Sequence, residues 1–126
     1  MIIAEFFIPG EFSGLNEYTN DNRAHWSKGA SAKKQETLRV QYELNNVRTI
    51  PEENFPLIIE FHWRSMDKKH DPDNICFAKK FILDGMVKAR IITNDGWEQI
   101  AGFMDTFRVD TKSPGVIVVI KQAAEV

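Results

Sequence analysis

The chain has 126 residues, 43% hydrophobic and 27% charged, which suits one compact domain over 1–126 with a core of its own. Its single cysteine, Cys76, excludes an internal disulfide, and no CxxC or Cys/His zinc pattern is present, so a cytoplasmic setting is expected. The net charge of −2 argues against a uniformly basic nucleic-acid binder, and neither "MIIAEFFIP" nor "GVIVVI" has the flanks or length of a signal peptide or a bilayer span.

In chain order, "IIAEFFI" (2–8) reads as a first strand. A long polar loop follows over 9–22, rich in Gly, Asn and Asp. Residues 31–46 place Thr37, Val40 and Leu44, with Val47 beyond, at helical spacing, and Lys33, Lys34 and Arg39 mostly elsewhere on that helix. "FPLIIEFHWR" (55–64) is a second strand, and 74–89 a second helix. Part of 98–110 supplies a third strand with imperfect alternation. "GVIVVIK" (115–121) is a last strand, apolar enough to be buried on both faces. The order β-α-β-α-β-β predicts an α+β domain with a mixed sheet of about four strands and two helices packed on it.

Charge is unevenly spread. Residues 23–48 and 64–90 hold 13 of the 16 Lys and Arg residues but only 6 of the 18 acids, so a basic face on an acidic body is available to a polyanion. Solvated surface charge explains the same clustering.

The stretch "DPDN" at 71–74 has two readings. In one, Asp71 opens a turn, Pro72 fixes φ, and Asp73 or Asn74 caps the helix, with "NDG" at 94–96 an ordinary turn. In the other, the acids are ligands. Lys80 lies seven residues, two helical turns, beyond Asp73, and Asp84 follows four later on that face. Ile75, Ala78, Ile82, Met86 and Ala89 form the buried side. If the chain folds back after about residue 90, Asp95 approaches this face. Three carboxylates would make a hard oxygen site suited to Mg²⁺ or Mn²⁺, and a neighbouring lysine would suit phosphodiester hydrolysis.

The order "EFHW … DKKHDPDN … K-FILDG … IITNDG" over 60–96 resembles the RusA family of Holliday junction resolvases, often carried by phages and prophages. The similarity lies in D-x-DN after a basic run, a lysine four residues before a second aspartate (Lys80, Asp84), and Asp95 eleven residues on. The N-terminal strand, the "GLNEY" loop, the basic helix and the closing strand match more weakly. The resemblance implies a RusA-like fold and a metal-dependent endonuclease that resolves four-way DNA junctions by paired nicks, leaving 5′-phosphate and 3′-hydroxyl ends. It implies a homodimer, roles in recombination and repair, and residence in a bacterial host cell. Asp71, Asp73 and Asp95 would bind the divalent metal, Lys80 would be the catalytic lysine, and Asp84 would support it. Lys68, Lys69 and His70 would touch the DNA backbone.

Other residues carry two readings each. Lys79 is placed to share or take Lys80's role, and otherwise to contact the DNA. Asn16, Tyr18, Arg23 and His25 reach DNA from the long loop or hold that loop together. Trp26, Trp63 and Trp97 invite base stacking, but Trp63 fits the core better and Trp97 is the better contact. His62 and Cys76 read as structural. Glu60 and Glu98 are spare acids for a metal's outer shell. A non-catalytic branched-DNA-binding protein on the same scaffold is the alternative.

Overall fold

The computed structural model describes residues 2–12, 14, 19–20 and 26–123. Its elements are β1 (Ile2–Pro9), α1 (Trp26–Glu43), β2 (Leu57–Ser65), α2 (Pro72–Cys76), α3 (Lys79–Lys88), β3 (Ile100–Val109) and β4 (Gly115–Gln122). The strands form one sheet in the order β1-β4-β2-β3. β4 runs antiparallel to both β1 and β2, while β2 and β3 are parallel, so the sheet is mixed. Parallel neighbours need a crossover, and α2 with α3 supplies it. This is the α+β architecture that the alternation of elements predicts.

The core lies between the sheet and the helices. Ile8, Leu57, Ile59, Phe61, Val116, Val118 and Ile120 from the strands meet Val40, Leu44, Phe81, Ile82 and Met86 from the helices, and all are essentially inaccessible to water. β4 lies inside the sheet, and Val119, on the face opposite Val118, is also buried. Its unbroken apolar run is explained by that central position. The expected stripe on α1 holds too, with Thr37, Val40 and Leu44 buried and Val47 packed against the core.

Three boundaries differ from the sequence reading. α1 begins at Trp26 and ends at Glu43, against an expected 31–46. Gly29 and the serines at 27 and 31 are poor helix formers that read as loop, but α1 packs on α3 and tertiary contact overrides propensity there. Asn45 and Asn46 favour turns and end the helix early. The second helix is interrupted. α2 stops at Cys76, and bonds of the i→i+3 type (Ala78 N–H to Ile75 O, Lys80 N–H to Phe77 O) tighten the chain before α3 begins.

α1 and α3 approach closely at Gly85. A β-carbon built there would stand 2.4 Å from Val40 Cγ1, well inside contact distance. Gly85→Ala is therefore expected to cost about 1–3 kcal/mol by overpacking. Denaturant unfolding measures the loss, and adding Val40→Ala should restore part of it.

Candidate active site

The site begins where β2 runs out. Asp67 Oδ1 accepts the Lys69 backbone N–H at 2.9 Å, and Glu11 Oε1 accepts that of Met66 at 2.5 Å, so the charged loop after Ser65 is pinned at both shoulders. Lys68 and Lys69 project into solvent, and His70 is half-buried. Asp71 then takes the N-cap position of α2 in extended backbone geometry, and Pro72 fills the first helical position, where its missing N–H costs nothing. The Asp71 carbonyl accepts the N–H groups of Asn74 and Ile75, but its carboxylate makes no capping bond.

The turn is thus built differently from the capping arrangement read in the sequence. Pro72 moves the cap position to Asp71 and puts Asp73 inside the first turn. Asn74 is buried at 5% exposure, its Nδ2 3.0 Å from His70 Nδ1, and Gly14 lies against it with no room for a β-carbon. The asparagine of D-x-DN ties the loop, helix and N-terminal segment together. The two aspartates beside it are exposed, and neither forms an ion pair among the described residues. The positive end of the helix dipole favours charge at this turn.

Between α2 and α3 the chain keeps right-handed helical backbone at Phe77 and Ala78 but tightens, so the seven residues from Asp73 to Lys80 do not run along one regular α-helix. Within α3 the expected face survives. Lys80 Nζ lies 3.3 Å from Asp84 Oδ1 and 3.8 Å from Asp95 Oδ2, while Lys33 of α1 reaches the other Asp84 oxygen at 3.8 Å. Asp95 does fold back to this face. The device is the end of α3, where Arg90 takes a left-handed φ of 60°, its N–H bonds the Val87 carbonyl, and the Ile91 N–H bonds that of Met86. This Schellman turn reverses the chain. Ile91 and Ile92, both buried, anchor the return, with Thr49 Oγ1 donating to the Arg90 carbonyl at 2.7 Å.

A glycine would hold Arg90's conformation without the steric penalty of a left-handed residue. Arg90→Gly is expected to raise stability by about 0.5–1 kcal/mol, read by denaturant unfolding, with Asp95 kept in place.

Adjacent lysines have different fates. Lys79 Nζ pairs with Asp105 Oδ2 at 2.7 Å, sits over the Phe61 and Phe103 rings, and is 19% exposed. Asp105 also accepts the Trp63 indole N–H at 2.8 Å. Lys79 is thereby an internal strut of the fold. Lys80, 55% exposed, is the lysine turned to the acids and to solvent. Asp105 is a partner that reasoning from the sequence missed, since nothing local links it to a residue 26 positions earlier.

A groove of about 430 Å³ opens beside Lys80's acids, lined by Lys33, Lys34, Thr37, Asp84, Lys88 and Asp95 among others. Lys33 and Lys34 stand at this rim although the sequence reading set them mostly elsewhere on α1. The signal was Lys33, one helical turn before the buried Thr37. Trp63 is buried, as expected of a core residue, and His62 is held by Thr106 Oγ1 (2.6 Å) and Glu60 Oε1 (3.0 Å). Glu60 is engaged by both His62 and Lys121. Lys121 Nζ at 2.5 Å, with His62, keeps its carboxyl below the usual carboxylate range. Cys76 is a half-buried free thiol, pushed up by burial. Asn16, Tyr18, Arg23 and His25 lie outside the described residues, as does the side chain of Trp26.

Chemically, the arrangement offers exposed carboxylates at Asp71 and Asp73, and a second acid pair, Asp84 and Asp95, bridged by Lys80. Hard oxygen donors of this kind suit Mg²⁺ or Mn²⁺. Among the described residues, no three His, Cys, Asp or Glu side chains converge as a metal-holding group. Asp95 meets Lys80, while Asp71 and Asp73 stand at the α2 turn. Among the described residues no helix is long and apolar enough to cross a membrane. No protein-family model matches the chain, and no curated protein is significantly similar to it.

Proposed function

We propose that the protein is a divalent-metal-dependent, structure-selective DNA endonuclease of the RusA type, resolving four-way junctions by paired nicks. The observation that carries the reading is Lys80. It stands clear of the core while its neighbour Lys79 is consumed inside it, and it shares Asp95 with a groove lined by three further lysines. Asp71 and Asp73, spared from capping, supply carboxylates at the neighbouring turn. By the resemblance, Asp71, Asp73 and Asp95 would hold Mg²⁺ or Mn²⁺, a grouping that the described residues do not themselves form; the metal would supply a bound water of lowered pKa and polarise the phosphate.

The chain's own groups account for the rest. Lys80 places an ammonium against the charge that develops on the scissile phosphate, and Asp84 holds that ammonium in position from one turn along α3. Lys33, Lys34 and Lys88 attract the DNA backbone along the groove, and Lys68 and Lys69 do so on the loop before α2. A homodimer of phage or prophage origin, acting on branched DNA in the cytoplasm of a bacterial host, completes the reading. The test is a synthetic four-way junction incubated with the protein in Mg²⁺ or Mn²⁺. Paired nicks bearing 5′-phosphates are expected. A gel shift with no cleavage in either metal would instead identify a non-catalytic junction-binding protein.

A further inference from the structure

Trp97 is 96% exposed, although tryptophan is among the side chains that proteins bury most heavily. The turn that carries it is firmly held. The N–H groups of Gln99 and Ile100 bond the Gly96 carbonyl, the buried Gln99 accepts the Gly96 N–H at 3.0 Å through Oε1, and Gln99's carbonyl accepts from Leu57 at the start of β2. The indole is presented from a fixed backbone two residues after Asp95, whose carboxylate faces Lys80.

We infer that Trp97 is a stacking platform for a nucleobase of the DNA bound at this site. The inference rests on the proposed nuclease reading and adds a contact to it. Three features select a base over an apolar protein surface. The neighbouring groove carries Lys33, Lys34 and Lys88, charges that suit a phosphate backbone. The acids that line this groove are already engaged, Asp95 with Lys80 and Asp84 with Lys80 and Lys33. An exposed aromatic face beside a cationic groove is the arrangement by which single-stranded or unpaired bases are held with little sequence preference. Bases at the centre of a branched junction are the ones most easily unstacked to meet it.

The test measures binding of a fluorescent four-way junction in EDTA, so that cleavage does not intervene, for the wild type and for Trp97→Phe, Trp97→Leu and Trp97→Ala. Because the side chain is almost wholly exposed, all three variants should melt as the wild type does. Trp97→Ala and Trp97→Leu are expected to bind about 10-fold more weakly, with Trp97→Phe close to the wild type. Junction binding should also quench wild-type tryptophan emission by an amount lost in Trp97→Phe. If the wild type binds and cuts the junction but Trp97→Ala binds equally well, or Leu serves as well as Phe, the stacking role is wrong and the nuclease reading stands. If Trp97→Ala instead converts a dimer to a monomer in sedimentation, the indole belongs to an interface between copies and the stacking role is wrong. A wild type that neither binds nor cuts the junction overturns both.

Discussion

Lys80→Ala is expected to slow junction cleavage by about 100-fold or more while leaving the fold as stable as before. Its side chain is 55% exposed in its pairs with Asp84 and Asp95, and such solvated pairs contribute under about 1 kcal/mol. The neighbouring change should behave in the opposite way. Lys79→Ala removes the counter-charge of a largely shielded carboxylate, Asp105, and strips the cation from the Phe61 and Phe103 rings. It is expected to cost about 1–3 kcal/mol of stability, with cleavage per folded molecule largely kept. Single-turnover cleavage alongside denaturant unfolding separates the two. Equal losses of cleavage for both variants, measured on folded protein, would deny Lys80 its special position.

The second large effect concerns the carboxylates. Asp73→Asn and Asp95→Asn each remove one negative charge and one strong oxygen donor while keeping shape. Asp73 sits in the first turn of α2 with no ion pair among the described residues, so its neutralisation should disturb little of the fold. Cleavage is expected to fall below detection, a loss of at least about 100-fold, while junction binding persists because the backbone-directed lysines remain. Asp95→Asn should additionally loosen Lys80, which would keep only Asp84.

How far these positions were legible follows from the range of each interaction. Strands β1, β2 and β4 and the buried stripe of α1 declare themselves through local apolar spacing, which is why the α+β layout was readable. The Lys80–Asp84 pair was readable for the same reason, being one helical turn long. The return of Asp95 was not, because it depends on Arg90 adopting a left-handed conformation that glycine ordinarily marks. Nor was the choice between Lys79 and Lys80. It is made by Asp105 on β3, and β3 reaches Lys79 only through the parallel pairing of β2 and β3. The break at 77–78 was hidden because Ile75, Ala78 and Ile82 keep a continuous helical apolar spacing across it.

Trp97 and the acid–lysine cluster also differ in kind. Trp63, borne on a strand, already reads as core and is buried and bonded to Asp105, whereas the full exposure of the Trp97 indole leaves no mark in apolar periodicity.

The most direct test of the central claim is cleavage of a synthetic four-way junction by the wild type and by Asp73→Asn, each with Mg²⁺ or Mn²⁺ and with EDTA. The account predicts paired nicks from the wild type in metal alone, none in EDTA, and none from Asp73→Asn under any condition although it still shifts the junction in a gel. Cleavage by Asp73→Asn at the wild-type rate, or by the wild type in EDTA, would contradict it.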